Sequence, residues 1–317
     1  MFIVMSGASG FIGSALTKHL ESHGHRVTPL VRVGTREVQG SIRWNPRTGD
    51  FDYNRLDGVD AIIHLAGESI MGPWLHEKKR QIRDSRGLYT ENLSKTIARL
   101  NHPPSTMIVA SAMGYYGNRG EETLTEESAS GTGFLADVCK HWETATLPAT
   151  QAGVRVIHLR MGAVLDKSGG TLKKAISLQK IGLSLNRGDS SHYMSWIALN
   201  DAVRAITFLL ERRDLKGPFN LVSPEPVTTA HFSEVVAANL KQPLRITVPK
   251  WLLRLAPGGM ADELIFSSQK GIPQNLTRAG FEFECSRFEN IFEPTPEESE
   301  SDYERVMGFP STGTASY

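Results

Sequence analysis

The sequence predicts an α/β protein, a doubly wound parallel sheet followed by a smaller mixed C-terminal lobe. Three observations carry that prediction. The first 165 residues alternate short β-rich runs with amphipathic stretches, the strand–helix–strand order of a parallel sheet. Most of the runs are near-continuously apolar, as strands covered on both faces must be. A glycine-rich turn, Gly7-Ala8-Ser9-Gly10-Phe11-Ile12-Gly13, stands between the first run and the first amphipathic stretch.

In chain order, strands are predicted over residues 2–5, 26–31, 41–44, 61–65, 107–110 and 154–159. Helices are predicted over 10–22, 85–100 and 134–147, where apolar residues recur at three- and four-residue spacing. Beyond Leu165 the pattern changes. Ser168-Gly169-Gly170 makes a turn, a helix is predicted over 199–211, and an apolar strand over 219–222 returns to the sheet. Proline punctuates the stretch that follows, which reads as a smaller lobe. Residues 1–165 and 195–222 are therefore assigned to the nucleotide-binding domain, and 166–194 and 223–290 to a substrate lobe. Residues 291–317, acidic and rich in Pro and Ser, form a tail expected to stay disordered.

A formal net charge of +1 on 317 residues provides no field to hold nucleic acid or an anionic membrane. Cys139 and Cys285 are too few for a disulfide framework and match no metal spacing. No metal site is expected. The apolar start stops at Ser6-Gly7, too short for a signal-peptide core. No run approaches the roughly 18 apolar residues of a membrane span. A cytoplasmic setting is expected.

The glycine turn points to a dinucleotide. Gly7 permits the tight turn, Gly10 lets backbone approach a pyrophosphate, and Gly13 lets helix pack on strand. The helix N-terminus offers N–H donors to the phosphates. Gly7, Ser9, Gly10, Phe11, Ile12 and Gly13 thus form the expected cradle of a Rossmann fold. A Rossmann domain that prefers NAD carries Asp or Glu at the end of the second strand. Here that strand ends Leu30-Val31-Arg32-Val33-Gly34-Thr35-Arg36. Arg32 and Arg36 suit a 2′-phosphate through bidentate, charge-assisted bonds, so the expected cofactor is NADP(H).

Further motifs extend the pattern: Ile62-Ile63-His64-Leu65-Ala66-Gly67-Glu68, Ile82-Arg83-Asp84-Ser85-Arg86 and Ser111-Ala112-Met113-Gly114-Tyr115-Tyr116-Gly117. Leu159-Arg160-Met161-Gly162-Ala163-Val164-Leu165, Met194-Ser195-Trp196-Ile197, Phe219-Asn220-Leu221-Val222-Ser223-Pro224 and Ala279-Gly280-Phe281-Glu282-Phe283 follow. With these the chain, over residues 1 to about 285, resembles the extended short-chain dehydrogenase/reductases. Within them it is most similar to the atypical "epimerase family", NAD-dependent epimerase/dehydratase, cell-division-inhibitor-like subgroup. The resemblance implies that Ser111 holds the substrate oxygen and that Lys140 binds the nicotinamide ribose. It implies that Leu65, Ala66, Gly67 and Glu68 run along the cofactor, and that Arg160 ends a strand near the nicotinamide. Four residues before Lys140 the superfamily places a tyrosine acid/base, and here stands Ala136. Tyr116 is the first replacement; Tyr115, Cys139, water or the substrate itself are the others. Arg83 and Arg86, three apart on one helix face, either meet an anionic group or pair with Asp84 or Glu91.

The expected function is an NADP(H)-dependent oxidoreductase acting on a small or medium organic carbonyl, alcohol or activated double bond. The alternatives are a nucleotide-sugar epimerase or dehydratase, and an NADP(H)-binding regulatory protein with little turnover. The expected partners are a small-molecule substrate and, at most, a second copy of the chain.

Overall fold

Alternation along the first strand sets the two faces of the sheet, with Ile3 and Met5 in one apolar cluster and Val4 in the other. The computed structural model describes residues 1–35, 39–52, 55–180, 183–184, 192–240, 246–247 and 259–293. Its strands are β1 (Phe2–Ser6), β2 (Arg26–Arg32), β3 (Ile42–Asn45), β4 (Asp50–Phe51), β5 (Ala61–His64), β6 (Thr106–Ala112), β7 (Thr123–Leu124), β8 (Arg155–Met161) and β9 (Ala163–Asp166). They continue as β10 (Leu183–Ser184), β11 (Tyr193–Met194), β12 (Trp196–Ala198), β13 (Gly217–Leu221), β14 (Val227–Thr228), β15 (Ile246–Thr247) and β16 (Lys270–Gly271). The helices are α1 (Phe11–Ser22), α2 (His76–Ile97), α3 (Phe134–Thr144), α4 (Leu147–Gln151), α5 (Gly170–Lys180), α6 (Leu199–Glu211), α7 (Thr229–Asn239) and α8 (Gln274–Arg278).

One sheet runs in the order β13-β8-β6-β5-β1-β2-β3-β4, parallel except for the short antiparallel edge β4 on β3. Strand order reverses at β1 and β5, and in such sheets ligands bind outside the carboxyl ends at that reversal. On one face α1 and α6 bury Leu16, Leu20, Val203, Ile206 and Leu209 against Ile3, Met5, Ile63 and Ile157. The other face covers Val4, Ile62, Met107 and Val109 with Leu93, Ile97 and Trp142. Each such side chain contributes about 1.5–3 kcal/mol when fully buried, so both helical layers are held to the sheet by many independent contacts.

Two helices differ from expectation. α2 begins nine residues early, at His76. Its first turns are polar all round and carry no apolar period, but Arg80 pairs with Glu77 at 2.7 Å and Asp84 at 3.2 Å, the spacing that supports an exposed helix. The helix expected over 134–147 is two, because Pro148 sits in the first turn of α4, where its missing N–H costs nothing. Beyond the sheet, Leu165, Trp196, Phe232, Val236 and Phe288 form a separate apolar cluster, against which Ile291 and Phe292 pack. Those two lie inside the segment expected to be tail; residues 294–317 fall outside the described residues. No helix of the described residues is long and apolar enough to cross a membrane.

Candidate functional site

The chain turns from β1 into α1 through Gly7, at φ +77°, and the Gly10 amide closes that turn on the Gly7 carbonyl at 2.9 Å. A Cβ on Gly13 would sit on the Gly7 carbonyl oxygen, with Ala8 Cα 2.9 Å away. Helix and turn are thus in backbone contact. No side chain caps α1 at Gly10, so the first-turn amides, which have no partner within a helix, are open to a ligand's oxygens. Above this turn lies a cavity of about 670 Å3 lined by Gly7–Gly10, Leu30–Arg32, Thr35, Leu65–Glu68, Ser85 and Tyr89. The bare glycine turn, the open amides and this cavity fit a dinucleotide pyrophosphate.

Of the residues expected to hold the cofactor, Gly7, Ser9, Gly10, Arg32, Leu65, Ala66, Gly67 and Glu68 line the cavity; Phe11, Ile12, Gly13, Lys140 and Arg160 do not. Phe11 lies instead against the Gly169-Gly170 turn, and Ile12 packs on the core. The turn Gly7–Gly10 faces the cavity, while the first side chains of α1 pack on protein. Arg32 is exposed at the end of β2, its carbonyl accepting from the Thr35 hydroxyl at 2.7 Å. Arg36 lies outside the described residues. Glu68 forms an ion pair with Lys78 at 2.6 Å.

His64 and Trp44 also line the cavity, although neither was assigned to the site from the sequence. His64 is fully buried. Its Nδ1 shares a 2.6 Å hydrogen bond with Ser6 Oγ, and its Nε2 has no partner. Burial pushes its pKa down to about 4 from the ordinary 6.5, so the ring is neutral near pH 7. The unfolded chain takes up this proton at the higher value. Stability is therefore complete above about pH 6.5 and declines by about 3 kcal/mol as pH falls to 4. Between those limits the melting temperature of the parent is expected to fall more steeply than that of His64→Asn. Parallel profiles would remove His64 as the cause.

The carboxyl ends of β6, β8 and β13 build a second cluster. Register sets Ser111 beside Arg160 and Asn220 beside Arg160. Arg160 is 4% exposed and reaches Glu143 on α3 with two bonds of 2.8 Å, Nε to Oε1 and Nη2 to Oε2. Its guanidinium lies 3.6 Å from the Tyr115 ring centroid. Burial alone would lower its pKa, and the Glu143 bonds more than reverse that. Ser111 Oγ donates to the same Glu143 Oε1 at 2.8 Å. The Tyr116 hydroxyl donates to Asn220 Oδ1 at 2.7 Å and accepts from Arg160 Nη1 at 2.9 Å.

This cluster bears on two expectations. Tyr116 is fully buried, and burial pushes its pKa up to about 12. With both sides of its hydroxyl engaged it is a poor proton donor to a ligand. Arg160 is engaged by Glu143, the counterion that a buried cation needs. Ser111 stands at the end of β6 as expected, its hydroxyl held by Glu143.

Lys140 stands on α3. It is 41% exposed and pairs with Asp137 at 2.7 Å. The face of α3 turned to the loop after β6 carries Leu135 and Cys139: a Cβ on Gly114 would meet Leu135 Cβ at 3.4 Å and Cys139 Sγ at 3.7 Å. One residue further along a helix turns a side chain by about 100°, which takes Lys140 off that face. Burial pushes the Cys139 thiol up to about 12. At the start of α3, the Glu263 carboxylate accepts from the Phe134 and Leu135 amides at 2.9 and 2.7 Å, so the C-terminal lobe caps this helix.

Comparison with known proteins adds the following. The profile described as the NAD dependent epimerase/dehydratase family matches residues 3–222, and that of a domain of unknown function, DUF1731, matches 248–293. The epimerase family protein Mb2239 of Mycobacterium bovis is 42% identical over 282 residues, 89% of this chain and 93% of that one. The structure of a nucleoside-diphosphate sugar epimerase from Corynebacterium glutamicum superposes with a TM-score of 0.77 at 31% identity, covering 98% of this chain and 66% of that longer one. The human epimerase family protein SDR39U1, solved with NADPH, superposes with a TM-score of 0.82 at 24% identity over 95% of this chain and 99% of that one.

Proposed function

The chain belongs to the NAD-dependent epimerase/dehydratase family, and on that premise we propose that it is an NADP(H)-dependent oxidoreductase acting on a small or medium organic substrate. The group transformed is a carbonyl, an alcohol or an activated double bond. One observation carries the cofactor assignment: among the described residues, the cavity rim at the end of β2 holds Arg32 and Thr35 and no carboxylate. A guanidinium favours a 2′-phosphate where a carboxylate would repel it. The NADPH in the human SDR39U1 structure supports the same choice. NADP(H), when bound, supplies the hydride. The protein's own part is to seat the pyrophosphate on the α1 amides and the adenosine end beside Arg32, with Leu135 and Cys139 of α3 beside the loop after β6. Leu135 carries no proton to give and burial holds the Cys139 thiol protonated, so the accompanying proton is assigned to exchange between the substrate and water.

The name of the Corynebacterium glutamicum structure favours a second reading, epimerisation of a nucleotide sugar. That chemistry needs a base working near neutral pH, which neither Leu135 nor Cys139 supplies. The two readings part in one experiment. A panel of carbonyl compounds is expected to draw stoichiometric loss of reduced nicotinamide absorbance from NADPH, with UDP-glucose left unchanged. Interconversion of UDP-glucose and UDP-galactose without net cofactor consumption would favour the second reading.

A further inference from the structure

Arg86 on α2 carries a cation that the hydride chemistry above does not use. Its side chain runs under the Gly67-Glu68 turn, where a Cβ added to Gly67 would lie 3.4 Å from both Cζ and Nη2. One corner of the guanidinium is fixed. Nη1 donates to the Glu68 carbonyl at 2.9 Å, and at 3.4 Å to both the Ile82 carbonyl and Ser85 Oγ. The flat face lies over Trp142, with Cζ 5.0 Å from the ring centroid. Nε and Nη2 find no acceptor among the described residues.

Of the cations nearby, Lys78 pairs with Glu68, Lys140 with Asp137 and Arg160 with Glu143, and Lys79 and Arg83 lie over the Phe134 ring. Arg86 is half-buried and has no carboxylate at ion-pair distance among the described residues. Burial works against its charge and lowers its pKa. A sequestered cation without a counterion is costly, and an incoming anion would relieve that cost. Held at Nη1 and on one face, the Nε/Nη2 edge is a preformed fork that matches the two oxygens of a carboxylate. Arg86 lies against Gly67, which lines the cavity, and over Trp142 of α3, the helix whose Leu135 and Cys139 border the loop after β6.

We propose that Arg86 binds the carboxylate of the substrate, so that the substrate is an organic acid bearing the carbonyl, alcohol or double bond. This deepens the oxidoreductase reading and rests on it. The test titrates the NADP+-saturated protein with benzoate, butyrate and succinate, and with benzamide and butyramide as neutral counterparts. At least one carboxylate is expected to bind about tenfold or more tightly than its amide. Arg86→Gln is expected to lose that preference and Arg86→Lys, which keeps charge without the fork, to lose part of it. NADPH affinity should stay within about twofold in both variants, which also reports that they are folded; if Arg86→Gln does not fold, Arg86→Lys decides. The proposal is overturned if no carboxylate outbinds its amide, if the variants bind carboxylates as the parent does, or if they lose NADPH instead. If the parent binds no NADPH the oxidoreductase reading fails separately, and carboxylate titration of the cofactor-free protein still decides the role of Arg86.

Discussion

Gly13→Ala is expected to destabilise the fold by about 3 kcal/mol, whereas Gly10→Val leaves the fold near the parent and removes NADPH binding. The two glycines are three residues apart and fail for different reasons. At Gly13 a methyl group lands on the Gly7 carbonyl oxygen and against Ala8 Cα. Both obstacles are backbone, so no rotamer relieves the overlap and α1 must move off β1. At Gly10 the only near atom is the Gly7 carbonyl oxygen at 3.1 Å; beyond it lies the cavity. A branched side chain there fills the space where phosphate oxygens meet the α1 amides, and the loss of several charge-assisted bonds weakens NADPH by about a hundredfold or more. Denaturant midpoints and calorimetric titration separate the two effects. Normal NADPH binding by Gly10→Val would make the turn structural only.

Replacing Arg160 by Ala is expected to cost about 3–5 kcal/mol, the penalty for stripping one partner from a buried ion pair. Glu143, 12% exposed on its side chain, would keep only the Ser111 hydroxyl. Tyr116→Phe removes a hydroxyl that both donates and accepts and should cost about 1–2 kcal/mol. A double-mutant cycle between Arg160→Ala and Glu143→Gln is expected to be strongly non-additive, since both variants break the same pair. If Arg160→Ala unfolds at the parent's denaturant concentration, the pair is not holding β8 to α3. Turnover offers a sharper contrast for Tyr116→Phe. As a buried structural group it should leave the rate per folded molecule unchanged, while a general acid would cost about a hundredfold or more.

Local features were legible in the sequence. The order of strands, the glycine turn and the place of Ser111 at the end of β6 each follow from a few adjacent residues. The bare end of β2 is equally local, and Arg32 stands on the cavity rim; Arg36 and the acidic residues from 294 onward lie outside the described residues. Phase and long-range partners were less legible. Lys140 was placed by the resemblance, which carries no information on the rotation of α3, where Cys139 one residue earlier borders the loop after β6. Arg160 was read as a strand end, yet its partner Glu143 stands 17 residues away on another element, a contact that no spacing announces. His64 lies in a run of buried strand residues, and nothing local distinguishes a histidine facing a cavity from one facing core. Its unpartnered Nε2 appears only in three dimensions.

The account rests on a 2′-phosphate at the end of β2, and calorimetric titration of the unmodified protein with NADPH and NADH tests it most directly. NADPH is expected to bind at least about tenfold more tightly, a difference of about 1.4 kcal/mol, and Arg32→Ala should erase most of that gap by weakening NADPH alone. Equal affinities in the parent, or a preference that survives Arg32→Ala intact, would contradict the account.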